Sequence, residues 1–477
     1  MKRMFNRNNI IVFFTSFIFI ISLEIYFKPY TIDGIHFQEW SSDKVLQTLP
    51  IKQLKEYPVL SLWYLHIQPP LYDTFRMLIA QFIDSHDTSV LIKNVDKALY
   101  FIFALLYSFI TTFIFLWVSR LTSANYGLLA AFIWILHPAS IFYATLLETT
   151  LLSSFGFTWF LYELWRLKNN NKTGFVRLSM SLLFIYFTKS IFQWYFIPVL
   201  ILSLLLLRFS VKRIVFSSIG ISILIISLFI TKQYILFNTT LTTTLNAGTH
   251  LCGMVWHNPT KNEINKANKI LEFNYPKDSK KLSAKYKYSG KKYGNNEKSF
   301  KQNLIFSHIC KNYFFEQPII SLSNISKNFI LSFTKFMRPS SSYRSNVIVD
   351  NLPWRYYYDF VFGKLFFLIL IIISFFVWCL NKIIHKHDKK DILYSISIVI
   401  PILYFILIAN IGGVHIGEYP SIWIETQRLK FIIEPILYIF IFVQLYNLSC
   451  LLYKVTNTFK KTCSRNNQIN KHDSRKQ

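Results

Sequence analysis

The sequence predicts an all-α polytopic membrane protein of about ten transmembrane helices. It also predicts a long first extracytoplasmic loop carrying a surface helix, and a second extracytoplasmic segment between helices seven and eight. Three observations carry this reading. Of the 477 residues, 52% are hydrophobic and 18% aromatic, more apolar than a soluble domain usually is. The apolar residues gather in runs that suit the roughly 20 residues needed to cross a hydrocarbon layer. The basic residues behind the net charge of +28 flank those runs, so the charge reads as orientation in the bilayer and no nucleic-acid partner is expected.

The first element follows a short basic leader, Met1–Asn8, and is almost wholly apolar from Ile10 to Phe27. A secretory signal would end in small residues at a cleavage site. Here Glu24-Ile-Tyr-Phe-Lys-Pro is bulky and charged, so the segment reads as a retained span. Further spans fall at 98–119, 123–143, 147–166, 177–192, 194–209, 213–231, 362–381, 391–410 and 431–452. The pair at 177–192 and 194–209 is one long apolar stretch divided at Gln193, with Pro198 disturbing its second half. Two short tilted helices and a re-entrant pair fit it equally.

Charge tests the count. With both termini cytoplasmic, Lys2-Arg3 and Arg7, Arg120, Arg166 to Arg177, Arg208 to Arg213, Lys382 to Lys390 and the Lys454–Lys476 tail all fall on one side, as the rule for short loops requires. The chain then divides into an N-terminal transmembrane module (1–235, with the first outward loop at 28–97), an extracytoplasmic basic segment (236–360), C-terminal transmembrane helices (361–453) and a cytoplasmic basic tail (454–477). The basic segment holds twelve lysines between Lys261 and Lys301. Long loops translocate largely regardless of charge. The lysines read either as a solvated surface or as a patch for anionic headgroups. The cysteines make no CxxC pair and no zinc spacing, so no metal or cofactor is expected. Cys252 and Cys310 are the two that fall in the long loop. The Asn- and Lys-rich composition suits a bacterial inner (plasma) membrane. In a eukaryotic secretory membrane, Asn238-Thr-Thr and Asn324-Ile-Ser would be exposed glycosylation acceptors.

Candidate chemistry lies in the first outward loop. Tyr30-Thr-Ile-Asp33-Gly-Ile-His36-Phe-Gln-Glu39-Trp begins a few residues after the first span. A carboxylate there is within reach of a lipid phosphate and of water, and partial desolvation would poise it as a general base. Ordinary loop polarity with a tight turn at Asp33-Gly34 also accounts for it. Next, in Ser61-Leu-Trp-Tyr-Leu-His66-Ile-Gln68-Pro69-Pro70-Leu71-Tyr72, the prolines force an extended approach and then start a helix. Apolar residues at 71, 75, 78, 79 and 82, with Asp73, Arg76, Gln81 and Asp84 elsewhere, predict an amphipathic helix lying on the membrane.

An outward carboxylate after the first span, followed by His-x-x-Pro-Pro-Leu-Tyr opening a surface helix, resembles the C-type superfamily of polytopic membrane glycosyltransferases. That superfamily includes the protein O-mannosyltransferases and the aminoarabinose transferases that modify lipid A. Leu136-His137-Pro138 to Glu148 looks like the family's outward turn after the third span. Phe187-Thr188-Lys189-Ser190 to Pro198 looks like its Thr-Lys-Gly-Pro segment, with Ser190 in place of the glycine. Glu425-Thr-Gln-Arg428 to Glu434-Pro435 looks like its charged stretch before a late span. The resemblance is best over residues 10–235. Where the family pairs Asp with Glu, this chain has Asp33-Gly34 and the next acid at Glu39, so both carboxylates stay candidates.

The resemblance implies inverting hexosyl or pentosyl transfer from a polyprenyl-phosphate sugar to a lipid, protein or glycan acceptor outside the membrane. Asp33 or Glu39 would be the base, His66, Gln68, Lys189 and Arg428 would hold the donor, and Glu148 would orient the first loop. Each has an ordinary alternative. His66 and Gln68 also serve to cap the surface helix, and Glu148 to sit solvated at the bilayer edge. Lys189 is able to snorkel, and Arg428 to pair with Glu425. Two other classes fit the same architecture: a transporter or flippase of a lipid-linked or anionic substrate, and a polymerase or ligase of lipid-linked glycans.

Overall fold

The computed structural model describes residues 7–30, 41–43, 48–167, 172–237, 239–241, 247–274, 297–336, 364–384, 389–412, 429–453 and 456. Among them the regular structure is helical, with no strand. Helix α1 (Arg7–Tyr30) leads into the first loop, whose described part holds α2 (Ile51–Glu56), α3 (Pro58–Trp63) and α4 (Leu71–Gln81). The bundle continues with α5 (Thr88–Leu121), α6 (Ala124–Ile135), α7 (Pro138–Thr145), α8 (Thr149–Arg166), α9 (Lys172–Thr188), α10 (Phe196–Leu206), α11 (Val211–Val215) and α12 (Ser218–Phe237). Then come α13 (Ala247–Val255), α14 (Lys261–Asn274), α15 (Glu297–Glu316) and α16 (Pro318–Phe336), and finally α17 (Lys364–Ile384), α18 (Lys389–Gly412) and α19 (Leu429–Tyr453).

Among the described residues, α5, α12 and α19 are long and apolar enough to cross a membrane, and the pair α6–α7, bent by 59° at its break, makes a fourth candidate if it is one span. The remaining apolar stretches in α1, α9, α10, α17 and α18 are shorter than that test requires. The break in α6–α7 falls at Leu136-His137-Pro138, where Pro138 has no N–H to give and opens the new helix at its first position. Helix α12 is apolar along most of its length, yet only 22% of its most apolar stretch is buried. An apolar helix turned outward in this way suits lipid better than water.

Aromatic contacts hold the bundle. Helix α1 meets α5 through Phe13 and Phe109 (5.0 Å), and α5 meets α8 through Phe113 and Tyr162 (5.1 Å). Helix α8 meets α9 through Phe155 and Phe184 (5.4 Å), and α9 meets α12 through Phe187 and Phe229 (5.2 Å). At one end of the bundle Arg120 and Arg166 both lie over the Tyr162 ring, and buried Glu163 accepts from Arg177 at 2.9 Å. Two of the basic clusters that the sequence assigns to a single side therefore share one end.

The long stretch after α9 divides differently from the division at Gln193. Helix α9 stops at Thr188 and α10 starts at Phe196. Lys189 therefore stands in an irregular turn, not within a helix. Helix α10 has 11 residues, about 16 Å of axial rise, which is too short to cross a layer of about 30 Å alone.

The segment after α12 forms a small helical unit with its own core of Cys252, Val255, Ala267, Ile305, Ile309 and Cys310. A disulfide joins Cys252 to Cys310 and ties α13 to α15. Asn324 is half-buried and donates its amide to the Val255 carbonyl at 3.0 Å. Its side chain is thus committed to the fold and not offered as a glycosylation acceptor. Asn238 lies outside the described residues.

Candidate functional site

The first loop is organised around the start of α4. After Gln68-Pro69-Pro70 the helix opens at Leu71, and Thr74 donates its backbone N–H to the Pro70 carbonyl at 2.8 Å. Asp73 sits in the first turn, where the helix dipole favours a negative charge. It is fully buried and accepts from Gln68 Nε2 at 2.8 Å and Arg76 Nη1 at 2.6 Å. Arg76, also fully buried, bonds the Leu49 carbonyl at 2.7 Å, Asp43 at 3.2 Å and Ser42 Oγ at 3.2 Å. Ser42 N–H donates to Asp96 at 3.1 Å, and Ile51 N–H to Asp43 at 2.6 Å. The chain that emerges from the segment holding Asp33 and Glu39 is thereby clamped to α4 and α5. Burial raises the Asp73 carboxyl above its ordinary value against the pull of Arg76, and burial raises Asp96 likewise.

Helix α4 is amphipathic in the opposite sense to a solvated helix. Its polar residues Asp73 and Arg76 face the protein, while Leu78 and Phe82 are 47% and 89% exposed. Part of the apolar stripe read from the sequence is thus outward, at Leu78 and Phe82, while Phe75 and Ile79 pack partly against the core.

Tyr72 joins this loop to the bundle. Fully buried, it donates its hydroxyl to the Leu147 carbonyl at 2.5 Å. Burial drives its phenol well above the ordinary value; Arg76 opposes this, and Asp96, Asp73 and Glu148 add to it. Arg76 stands 5.8 Å from the centre of that ring. Glu148 precedes α8 and accepts from the Thr150 hydroxyl. On the same turn Thr149 accepts from Lys189 Nζ at 3.1 Å. Gln68, Tyr72, Glu148 and Lys189, drawn from three separate parts of the chain, thus meet at one end of the bundle.

His66 lies apart from that meeting point. It is fully buried, with its ring 4.7 Å from Phe237, and Gln233 of α12 donates to the neighbouring Leu65 carbonyl at 3.1 Å. Burial, helped by Lys232, lowers its pKa to about 3. The imidazole is neutral at pH 7 and brings no positive charge to a phosphate. Asp33, Glu39 and Arg428 lie outside the described residues. Arg428 immediately precedes α19, whose Phe431 carbonyl accepts from Ser154 of α8 at 3.2 Å.

One ionisable cluster escaped the sequence reading. At the α6–α7 break His137 approaches Glu434 at 3.5 Å, and Lys430 approaches the same carboxylate oxygen at 3.6 Å. All three side chains are buried. His137 Nδ1 accepts the Ser140 N–H at 3.0 Å, so a neutral ring carries its hydrogen on Nε2, the nitrogen nearer Glu434. The i, i+4 spacing of Lys430 and Glu434 was readable. The partner from a break 290-odd positions earlier was not. Among the described residues no three His, Cys, Asp or Glu side chains are grouped to hold a metal ion.

No family model matches the chain, and no curated protein matches it.

Proposed function

We propose that the chain is a multi-pass membrane glycosyltransferase of about ten spans that moves a sugar from a polyprenyl-phosphate donor to an acceptor on the extracytoplasmic face. The observation that carries this is the meeting of the Gln68–Tyr72 helix start, the Glu148 turn and Lys189 at one end of the bundle. These are three of the motifs by which the sequence resembles the C-type superfamily. The gathering of Arg120, Arg166 and Arg177 at one end supports a cytoplasmic side there. The Cys252–Cys310 disulfide supports an oxidising, extracytoplasmic side for the segment at 236–360.

In this reading the acceptor hydroxyl oxygen attacks the anomeric carbon from the face opposite the phosphate. Its proton passes to Asp33 or Glu39. The bond from the anomeric carbon to the phosphate oxygen breaks, and its electron pair leaves with the lipid phosphate. Phosphate needs no acid to leave, so one carboxylate suffices, unlike the paired carboxylates of glycoside hydrolysis. Lys189 and Arg428 stabilise the charge growing on the leaving group. The buried Asp73–Arg76 clamp holds the loop that carries the base.

A second reading, transport or flipping of a lipid-linked or anionic substrate, draws on the buried His137–Lys430–Glu434 cluster. If α6–α7 is one span, the twelve residues of α6 would put that break about 18 Å along the helix, a depth at which ionisable groups are commonly functional. The test is purified protein in sealed proteoliposomes with a radiolabelled polyprenyl-phosphate sugar and a membrane extract as acceptor source. Covalent transfer of the label supports the enzyme. Movement of intact donor across the bilayer, with no new covalent product, supports the transporter. Transfer of whole chains in place of single sugars points to a polymerase or ligase.

A further inference from the structure

Helix α16 turns three polar residues inward, while Ser323, Ser326 and Lys327 stay exposed. Ser321 and Asn328 are buried, and Asn324 is half-buried. The Asn328 amide donates to the Gly253 and Met254 carbonyls, each at 3.1 Å, and its oxygen accepts from the Trp256 indole. Asn324 donates to Val255. These are carbonyls at the C-terminal end of α13, which a helix leaves without intrahelical partners. The inward polarity of α16 is therefore a cap for α13. Nothing comparable explains the large apolar residues of its outer face, where Ile319 is 82% and Ile330 62% exposed beside Ile320 and Leu322, with the small Ser323 and Ser326 between them.

We infer that α16 lies flat on the bilayer, its Ile319–Leu322–Ile330 stripe seated among lipid acyl chains at the leaflet that borders the disulfide-bonded unit. Three observations select lipid as the occupant. First, α16 packs against α18, a long apolar helix that itself turns Ile396, Leu403 and Leu407 outward. Second, Lys327 stands 5.9 Å from the centre of the Trp256 ring, and both are exposed at the edge of the stripe. A tryptophan and a lysine bordering an apolar stripe is the composition of the bilayer interface. Third, α16 has Lys327 and Lys335 but no acidic residue, which suits anionic headgroups. Its 19 residues would measure about 28 Å, enough to cross, but Asn324 and Asn328 are held to α13, and a crossing helix would carry those polar contacts into the hydrocarbon. The segment at 236–360 is then not a freely solvated domain. It rests on the membrane surface, and this inference does not depend on the reaction.

The test uses the full chain in nanodiscs of phosphatidylethanolamine and phosphatidylglycerol. Cys379, Cys450 and Cys463 are changed to serine and the disulfide is kept. An environment-sensitive fluorophore is placed in turn at Ile319→Cys, Leu322→Cys, Ile330→Cys and, as a solvated control, Lys311→Cys, an exposed position on α15. The first three are expected to emit to the blue of the control. They should be quenched several-fold more by lipids spin-labelled near the headgroup than by lipids labelled at the chain end, and be shielded from iodide. Emission like that of Lys311→Cys overturns the inference. So does strongest quenching from the chain end, which means a crossing helix. A blue shift that persists in detergent and grows with protein concentration also overturns it, because a second copy then covers the face. The labelled positions point away from the core, so folding is checked independently by retention of the Cys252–Cys310 bond.

Discussion

Replacing Arg76 with methionine tests the clamp that holds the first loop. The guanidinium is fully buried and contacts Asp73, Asp43, Ser42 and the Leu49 carbonyl. Methionine fills much of the space but leaves Asp73 buried without a cation, with Gln68 and the Leu49 N–H as its remaining donors. Removing one member of a buried ion pair costs roughly 3–5 kcal/mol. About 1.4 kcal/mol is a factor of ten, so protection of amides that depend on the clamp should fall by about two to three and a half orders of magnitude. The relevant amides are those of Ser42, Leu49 and Ile51, which donate to Asp96, Asp73 and Asp43. Hydrogen exchange read by mass spectrometry on peptides covering 41–51 measures this, with α8 as the internal control. Adding Asp73→Asn to Arg76→Met removes the stranded charge and should restore part of the protection, because neighbouring changes are not additive. Unchanged exchange in 41–51 would refute the clamp. Equal loss of protection in α8 would refute its being local.

Three further outcomes follow from the same geometry. His66 is buried neutral with a pKa of about 3, below its unfolded value of about 6.5. Between those values the unfolded chain binds more protons, so stability rises with pH and is lost on acidification below about 6.5. Lowering pH from 6.5 to 4.5 should cost about 2 kcal/mol, read from Trp63 fluorescence during unfolding, and His66→Gln should flatten that dependence. The Cys252–Cys310 link spans 58 residues, and the chain-entropy estimate gives about 4 kcal/mol for a loop of that size. Reduction or Cys252→Ser should therefore expose 247–316 to protease while leaving α5 and α8 protected; simultaneous loss of both would show that the unit has no separate stability. Tyr72→Phe leaves the buried Leu147 carbonyl without its hydroxyl donor, at a cost of about 1–3 kcal/mol, seen as a lowered midpoint in thermal unfolding. No change would mean that Tyr72 does not join loop to bundle.

Much of the architecture was legible because the bilayer limits the options. Apolar run length marked helices near each expected span, and the Pro69-Pro70 signal placed the start of α4 at Leu71. The pattern along α4 gave its amphipathic spacing but not which face turns inward. Charges such as Asp73 and Arg76 are usually solvated, and only partners 24 to 34 positions away, Leu49, Asp43 and Ser42, make burial tolerable. The same holds for Asn324 and Asn328, whose inward role depends on where α13 ends. Lys189 was visible as a cation in an apolar stretch, yet its place in a turn beside Thr149 follows from where α9 stops. Buried His137 needed a partner from the far end of the chain. Local signals such as proline and run length survive in a sequence. Long-range pairing of polar groups leaves no periodic trace.

The central claim is that a carboxylate of the first loop works with Lys189 on a lipid-linked sugar. Its most direct test is single-turnover transfer from a radiolabelled polyprenyl-phosphate sugar by four purified proteins: wild type, Asp33→Asn, Glu39→Gln and Lys189→Met. Near-complete loss is expected in one of the two carboxylate variants. Lys189→Met should slow the chemical step by about 10²–10³, the usual effect of removing one group that stabilises developing charge. Transfer at the wild-type rate by both carboxylate variants, or by Lys189→Met, would contradict it.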